Sequence, residues 1–342
     1  MKYLILGLSL FTLFSCGPSN RIEPILKTET VPHDSDDPAI WIHPTDLGKS
    51  LIIGTDKHDT DGGVYAFDLQ GKRLDSLSIR GLKYPNNVDI AYGFALGKDT
   101  IDIAVSSERE AGKIRVYSLP DMQLIDNGGL DVFAGDKPAL RRPMGVALHK
   151  NPETGAMEVF VSRKQGPSEG YLGHYEITAD SLGQLAIKEL RRFGRFAAIT
   201  NGEIEAIAVD DENQIVYYSD EGCCIRAYST VVGQNELIQE FGKNEFTEDR
   251  EGIAILNKSK DEQVLLISNQ QELAFNIYNV TNKKVQSLEK IVYLSTHETD
   301  GCEVSPLAFP GFPNGLFVAM SDDRTFHLYD LKEVLNGNVI KE

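Results

Sequence analysis

The chain has 342 residues, and 34 Lys and Arg stand against 51 Asp and Glu, which gives a formal net charge of −17 at pH 7. A nucleic-acid-binding protein needs a basic face, so this acidic excess argues against that class. The excess favours cation binding or simple solubility, and the length is ample for a large hydrophobic core. No linker or low-complexity tract divides the sequence, which favours a single domain.

The N-terminal residues MKYLILGLSLFTLFSCG have the pattern of an export signal. One Lys precedes an apolar stretch that is too short to span a membrane. The run Leu13-Phe14-Ser15-Cys16 resembles a bacterial lipobox, so we expect residues 1–15 to be a lipoprotein signal peptide and Cys16 to carry the lipid. The sequence thus predicts an exported chain that is lipid-anchored to a bacterial membrane, in the periplasm or at the cell surface. A plain signal peptide is the alternative.

Three other cysteines follow, Cys223, Cys224 and Cys302. An odd number with two adjacent members is not a disulfide framework, and the spacing matches no zinc site. We therefore expect all three to be small buried residues.

A short pattern that ends in tyrosine recurs six times along residues 21–342. The tyrosines are Tyr65, Tyr117, Tyr175, Tyr228, Tyr278 and Tyr329, spaced 52, 58, 53, 50 and 51 residues apart. Two apolar runs of strand length precede each tyrosine, and the linking segments leave room for a fourth strand. This period predicts one all-β domain, a six-bladed β-propeller with four-stranded antiparallel blades. Residues 21–30 are expected to add the outer strand of the last blade and so close the ring.

Polar residues recur where the predicted strands meet the mouth of the propeller. The expected first positions of the inner strands are Asp37, Asn87, Met144, Glu205, Glu251 and Glu303, with Asp36, Asn86, Asp249 and Asp300 close beside them. Carboxylates crowded into one mouth repel one another unless a cation neutralises them. An oxygen-rich set with little histidine favours calcium over zinc or copper.

The second run of each repeat ends in a charged or amide pair. These pairs are Asp56-Lys57, Glu108-Arg109, Arg163-Lys164, Asp220-Glu221, Asn269-Gln270 and Asp322-Asp323. The basic members come from three neighbouring repeats, and basic side chains beside bound calcium are suited to an anion with several charges, such as a phosphate ester.

The sequence resembles the β-propeller phytases, a family of calcium-dependent phosphatases, from about residue 29 to residue 330. The resemblance rests on DDPAIW (36–41), GTDK (54–57), NNVDI (86–90), SSER (106–109), EIEAIAVDDE (203–212), SDE (219–221), DREGIAI (249–255), SNQQ (268–271), TDG (299–301) and GLFVA (315–319). It implies hydrolysis of phosphomonoesters of phytate by a metal-activated water, with several calcium ions as cofactors and a single copy of the chain as the working unit.

The resemblance also implies roles by position. The implied calcium ligands are Asp36, Asp37, Asn87, Glu205, Asp220, Glu221, Asp249, Glu251 and Asp300, with Asp37 and the carbonyls near Asn87 forming a structural site. The expected catalytic residues are Lys57, Arg109, Lys164 and Glu205. The expected substrate contacts are Lys57, Arg109, Arg163, Lys164 and Gln270.

Two positions depart from the family pattern. Met144 stands where well-known members have a tyrosine, and Gln165 follows Lys164 where they have a glutamate. Two other functions stay open on the sequence alone. One is another calcium-dependent propeller hydrolase, of the lactonase or phosphotriesterase kind. The other is a non-catalytic surface propeller, because one fold serves many functions.

Overall fold

A computed structural model describes residues 21–197 and 202–337. The predicted signal peptide and Cys16 lie outside the described residues. The strands of the described part form six four-stranded antiparallel sheets, each running outward from an inner strand. The prediction of a six-bladed β-propeller with four-stranded blades is confirmed.

The blades follow chain order. Blade 1 contains β2 (Ser35–Trp41), β3 (Leu51–Asp56), β4 (Gly62–Phe67) and β5 (Ile79–Leu82). Blade 2 contains β6 (Pro85–Leu96), β7 (Asp99–Glu108), β8 (Lys113–Leu119) and β9 (Leu130–Asp131). Blade 3 contains β10 (Pro143–Lys150), β11 (Met157–Arg163), β12 (Glu169–Ala179) and β13 (Leu185–Arg195).

The second half repeats this arrangement. Blade 4 contains β14 (Ile207–Asp210), β15 (Ile215–Asp220), β16 (Cys224–Ser229) and β17 (Leu237–Phe241). Blade 5 contains β18 (Arg250–Ser259), β19 (Glu262–Asn269), β20 (Ala274–Thr281) and β21 (Lys284–Tyr293). Blade 6 contains β22 (Cys302–Ser305), β23 (Leu316–Ser321), β24 (Thr325–Asp330) and the N-terminal strand β1 (Leu26–Lys27).

Strand β1 closes the ring. It pairs antiparallel with β24, with Leu26 opposite Leu328 and Lys27 opposite His327. The first and last described parts of the chain therefore share one blade, as predicted, and the pairing covers the edge that β24 would otherwise expose.

Short helices complete the connections. The 3-10 helices are Leu47–Lys49, Asp75–Leu77, Arg109–Ala111 and Pro138–Leu140. The α-helix α1 spans Leu331–Asn336, and the Asp330 side chain caps it by accepting a hydrogen bond from the Lys332 N–H. Within the described residues, no helix is long and apolar enough to cross a membrane.

The core lies between the blades. The described residues form six apolar clusters, and each cluster fills the space between two neighbouring blades. The repeat tyrosines belong to this packing, because each lies on the third strand of its blade and is at most 2% exposed. Burying a large apolar side chain contributes about 1.5–3 kcal/mol, so this repeated packing holds the blades in a fixed register.

One tyrosine departs from that register. In blades 2 to 6 the tyrosine pairs with the residue four positions before the end of the second strand, as Tyr117 does with Ala104. In blade 1 Tyr65 pairs with Gly54, two positions before the end, and Phe67 takes the equivalent place opposite Ile52.

The prediction for the adjacent cysteines is wrong. Cys223 and Cys224 form a disulfide in the turn between β15 and β16. Sequence spacing gave no sign of this bond, because it joins neighbours within one tight turn and not two distant segments. Cys302 is a buried free cysteine, as predicted.

Candidate active site

The site begins with a β-bulge at the start of the inner strands. In blade 1 Ser35 lies opposite Asp56 and Pro38 lies opposite Gly54, so the inner strand holds one residue more than its partner. Equivalent shifts occur in blades 2, 3 and 5. Bulges change the direction of a side chain beside functional sites. We call one position in each blade the mouth ring: the residue after the first bulged position in blades 1, 2, 3 and 5, and the residue at the equivalent register in blades 4 and 6. The mouth ring consists of Asp36, Asn86, Met144, Glu205, Glu251 and Asp300.

The mouth ring corrects the register that the sequence predicted for three blades. Asp37 and Asn87 lie one residue deeper than the ring, and Glu303 lies three residues deeper, in the central channel. In blades 1 and 2 the residue inserted at the bulge breaks the alternation from which the sequence register was counted. In blade 6 the ladder has no bulge, and the count began inside it, at Glu303. The members of the ring in blades 1, 2 and 6 are Asp36, Asn86 and Asp300.

The last residue of each second strand has a different role. Asp56 accepts hydrogen bonds from the N–H groups of His33 and Asp34, and Glu108 accepts one from the Lys83 N–H. Asp220 and Asn269 do the same for Ala197 and Thr247. These side chains hold the loop that precedes each inner strand, and so they face that loop.

Arg163 and Asp220 occupy this loop-holding position, which matters for their predicted roles. Arg163 is 1% exposed and donates to the carbonyls of Tyr171 and Gly170 and to the Asp136 carboxylate. Its predicted contact with substrate is therefore not supported. Asp220 forms an ion pair with Arg226, which occupies one of its two oxygens, and Asp220 does not line the mouth.

The next residue along the chain lines the mouth in blades 1, 4 and 5, as Lys57, Glu221 and Gln270. Lys57, Arg109, Lys164, Glu221 and Gln270 each donate a backbone N–H to a carbonyl two residues before a member of the mouth ring. These carbonyls belong to what we call the approach positions, Asp34, Tyr84, Arg142, Glu203 and Asp249. In these five blades the repeated bond brings together three layers of side chains: the mouth ring, the approach positions and the residues that follow the second strands.

These layers surround a cavity of about 400 Å³ at the mouth. It is lined by Lys57, Gly202, Glu203, Glu205, Glu221, Gly222, Asp249, Glu251, Gln270 and Asp300. The structure thus brings together most of the predicted acidic ligands, one predicted lysine and the predicted glutamine.

Two residues to which the sequence analysis gave no role belong to this site. Glu203 lies at an approach position and lines the cavity, and Asn86 donates hydrogen bonds to Asp36 at 3.1 Å and to Glu205 at 3.0 Å. A signal for Glu203 was present in the sequence. Acidic residues two apart recur in four blades, as Asp34 and Asp36, Glu203 and Glu205, Asp249 and Glu251, and Glu298 and Asp300.

The mouth concentrates buried negative charge. Burial, with repulsion from Asp300 and Glu203, raises the pKa of Glu205 to about 7, although Lys57 lowers it. Burial and the charges of Glu205 and Glu203 raise the pKa of Glu221 to about 9. The pKa of Glu251 is raised well above its usual value by burial and by Glu221 and Glu205. Such shifts mark a site where a positive charge would be strongly stabilised.

Several buried oxygens in this region lack a hydrogen-bond partner among the described residues. They include Asn86 Oδ1, Asp220 Oδ1, Glu221 Oε1 and Glu251 Oε2. Burying a carboxylate or amide oxygen without a partner is costly, so native proteins rarely leave such groups unsatisfied. Oxygen donors of this kind fit a hard divalent cation, and these residues could hold one.

The three predicted phosphate-binding residues differ in their surroundings. Lys57 Nζ lies 2.7 Å from Asp300 and 3.2 Å from Asp36. Although burial lowers it, these carboxylates raise the pKa of Lys57 well above its usual value. Lys164 is a third exposed and pairs with Glu203 at 2.6 Å.

Arg109 is held between a ring and a thioether. Its guanidinium carbon lies 3.3 Å from the centre of the Tyr84 ring, and its Nη1 lies 3.6 Å from the Met144 sulfur. Met144 is 1% exposed, whereas Gln165 is exposed beside Lys164. Met144 therefore contributes an apolar contact to the mouth ring in place of an oxygen ligand.

The central channel forms a second acidic region below the mouth, with a cavity of about 120 Å³. Asp37, Asn87, Asp89 and Glu303 line it. Asp37 accepts a hydrogen bond from the Val88 N–H at 3.0 Å, and Asn87 Oδ1 is buried without a partner in the described part of the chain. The predicted pair of Asp37 and Asn87 is therefore brought together, but apart from the mouth cavity.

Comparisons with known proteins agree with this architecture. A family model described as Phytase matches residues 13–336. A 3-phytase from Bacillus subtilis (strain 168) is 30% identical over 318 residues, which cover 86% of this chain and 78% of that protein. The solved structure of a luciferin-regenerating enzyme aligns with a TM-score of 0.52 over 89% of this chain and 93% of the other, at 12% identity, and this likeness concerns the fold alone. The chain belongs to the phytase family.

Proposed function

We propose that the mouth cavity is the active site of this phytase and that its carboxylates hold calcium ions. As a phytase, the chain is a phosphoric monoester hydrolase that acts on phytate. The observation that supports the location most strongly is the set of buried, unpartnered oxygens on Asn86, Glu221 and Glu251, beside Lys57 and Lys164.

The donor set supports the choice of cation. The cavity is lined by carboxylates and one glutamine, with no histidine or cysteine among the described lining residues. Hard oxygen donors are typical of calcium and magnesium, whereas zinc and copper favour nitrogen and sulfur. Calcium accepts six to eight oxygens in flexible geometry, which suits a ring of side chains from several blades better than the strict octahedron of magnesium.

The proposed ligands in the mouth are Asp36, Glu205, Glu221, Asp249, Glu251 and Asp300, and Asp37 with Asn87 would hold a structural ion in the channel. Calcium bound in the mouth would neutralise phosphate charge and lower the pKa of a bound water. That charge inversion explains how a strongly acidic protein accepts a polyanionic substrate.

The basic residues would bind and orient the substrate. Lys57 already lies among the carboxylates of the mouth, and Lys164 extends from blade 3 with a third of its side chain exposed. Arg109 is fixed by Tyr84 and Met144, so its guanidinium needs little ordering before it meets a phosphate. Gln270 donates to Asp300 at 2.6 Å and orients that carboxylate in the cavity.

We propose in addition that the chain is exported and lipid-anchored through Cys16, and that one copy suffices for activity. The lipobox-like run Leu13-Phe14-Ser15-Cys16 supports this localisation. Replacing Cys16 with Ala should release the protein from the membrane fraction of a bacterial host. Retention of the Cys16→Ala variant in that fraction would contradict the lipid anchor.

The calcium requirement is tested by measuring inorganic phosphate released from phytate by protein stripped with a chelator. Calcium should restore release, and magnesium at the same concentration should restore much less. Release at the same rate in calcium and in chelator would contradict calcium dependence. No release under any condition would contradict the assignment of the mouth as a functional active site, because the protein would then act as a non-catalytic propeller.

A further inference from the structure

We propose that Glu203 is a cation ligand, and that Glu203, Glu205 and Glu221 of blade 4 together form one cation site in the mouth. This inference rests on the proposed function, because it assigns a ligand within the same active site. Three independent features of the structure carry it.

The first feature is the internal repeat. Glu203 and Asp249 occupy the same approach position, since the carbonyl of Glu203 accepts the Glu221 N–H and the carbonyl of Asp249 accepts the Gln270 N–H. Asp249 lines the cavity from blade 5, and Glu203 lines it from blade 4. An assignment of Asp249 as a ligand therefore extends by structural equivalence to Glu203.

The second feature is geometry. One carboxylate oxygen each from Glu203, Glu205 and Glu221 lies within 4.8 Å of the other two. Glu221 is 8% exposed, and its Oε1 has no hydrogen-bond partner among the described residues although its Oε2 accepts the Glu203 N–H. The cluster thus contains a side chain that lines the cavity and keeps one buried oxygen unsatisfied, a state that a bound cation relieves.

The third feature is a comparison with blade 1. There the acidic pair Asp34 and Asp36 faces Lys57, whose ammonium lies within 3.8 Å and 3.2 Å of the two carboxylates. Blade 4 has Glu221 where blade 1 has Lys57, so the same acidic pair gains a third carboxylate in place of a built-in cation.

Lys164 offsets only part of this charge. It pairs with Glu203 from the neighbouring blade at 2.6 Å. Three carboxylates against one ammonium leave a formal charge of −2 when all are ionised, which one divalent cation balances. Glu203 would then join the cation to Lys164, and both would be placed to bind one phosphate group.

The test is calorimetric titration of the full, chelator-stripped chain with calcium chloride. Glu203→Gln keeps the size of the side chain and removes its charge, and it should lose one bound calcium or weaken binding at least about tenfold. Glu212→Gln is the matched control, because Glu212 is an exposed glutamate of the same blade beyond the cavity, and it should bind calcium as the parent does.

A second pair of variants separates a ligand from a mere partner of Lys164. Lys164→Met should bind calcium at least as tightly as the parent, since it removes a nearby positive charge. If Glu203→Gln binds calcium as tightly as the parent, the inference is overturned, and Glu203 only holds Lys164. Glu203→Asp keeps the charge, so its calcium affinity should lie between those of the parent and Glu203→Gln. It replaces Glu203→Gln in the test if that variant does not fold. If the parent itself binds no calcium, the proposed calcium function fails first.

Discussion

The mouth and the channel both bury carboxylates, but the two regions satisfy them differently. In the channel, Asp89 accepts N–H groups of Ile90 and Leu148, and Glu303 accepts the Val304 N–H. In the mouth, Glu205 relies on the Asn86 amide, and Glu251 Oε2 has no partner in the described part of the chain. The channel acids are thus held by the backbone, whereas the mouth acids depend mainly on other side chains. Among the described residues Glu221 is the exception, because its Oε2 accepts the Glu203 N–H.

This difference shows how one repeated strand supports two environments. In blades 1 and 5 the bulge places Asp36 and Glu251 where the inner strand is not paired regularly, so these carboxylates have few backbone donors within reach. Three residues deeper the ladder is regular, and backbone N–H groups become available. Acids with an unsatisfied oxygen therefore lie at the mouth, where we propose that a cation and the substrate bind, and acids with backbone donors line the channel.

The largest effect is expected from removing the lysine that lies inside the mouth. Lys57→Met would leave the buried Asp36 and the partly exposed Asp300 without their ion-pair partner, and breaking a buried pair costs about 3–5 kcal/mol. Urea unfolding in chelator measures the loss, and added calcium should recover part of it. Lys164→Met is the matched comparison and should cost about 1 kcal/mol or less, because Lys164 is a third exposed. Equal losses in the two variants would contradict the special position of Lys57.

The next largest effect is on kcat, which should depend on the mouth and not on the channel. Glu251→Gln in the mouth should lower kcat about a hundred- to thousandfold, or about 2.7–4 kcal/mol, because it removes a charged group beside the reacting phosphate. Glu303→Gln makes the same change in the channel and should leave kcat within about threefold of the parent. Phosphate release from phytate at saturating calcium measures both. A similar loss in Glu303→Gln would mean that the channel takes part in the reaction.

These two glutamates also show what the sequence could predict. The period of the tyrosines and the apolar runs was sufficient for the blade number, the strand order and the closure by β1, because these depend on patterns that repeat. The assignment of Glu303 to the mouth failed because the sequence register was counted from the apolar run that begins at Glu303, whereas Cys302 already pairs with Ala319 and the ring position lies before this ladder. Asp300, three residues earlier, is the true member of the ring.

The same limit explains why the sequence assigned Arg163 to the substrate and why it missed Glu203. Arg163 and Lys164 are adjacent bases, and only the end of β11 decides that Arg163 turns to Asp136 while Lys164 turns to the mouth. Glu203 was missed because the register was counted from Glu205 alone. The spacing of acidic residues two apart would have found it, since alternate residues of an extended segment share one face.

A smaller effect is expected from calcium on stability. A ligand that binds only the folded state at a hundred times its Kd raises the free energy of unfolding by about 2.7 kcal/mol per site. Calcium should therefore raise the melting temperature of the parent and of Glu303→Gln by similar amounts. The double variant Glu205→Gln and Glu251→Gln should lose the part of the shift that comes from the mouth. Scanning calorimetry with and without chelator measures the shift in melting temperature. An unchanged shift in the double variant would mean that the stabilising ions bind outside the mouth.

The smallest effect, per pH unit, is expected from the channel acids in the absence of cations. Burial and the nearby Asp89 raise the pKa of Glu303 from 4.5 to about 8, although the Val304 N–H lowers it. Between these pH values only the folded state keeps the proton, so the free energy of unfolding falls as the pH rises, by about 1.4 kcal/mol per pH unit for this group. The fall begins above about pH 4.5 and ends near pH 8. Urea unfolding in chelator from pH 5 to pH 8 should show a slope that is shallower by this amount in Glu303→Gln, and an unchanged slope would mean that Glu303 stays ionised in the folded channel.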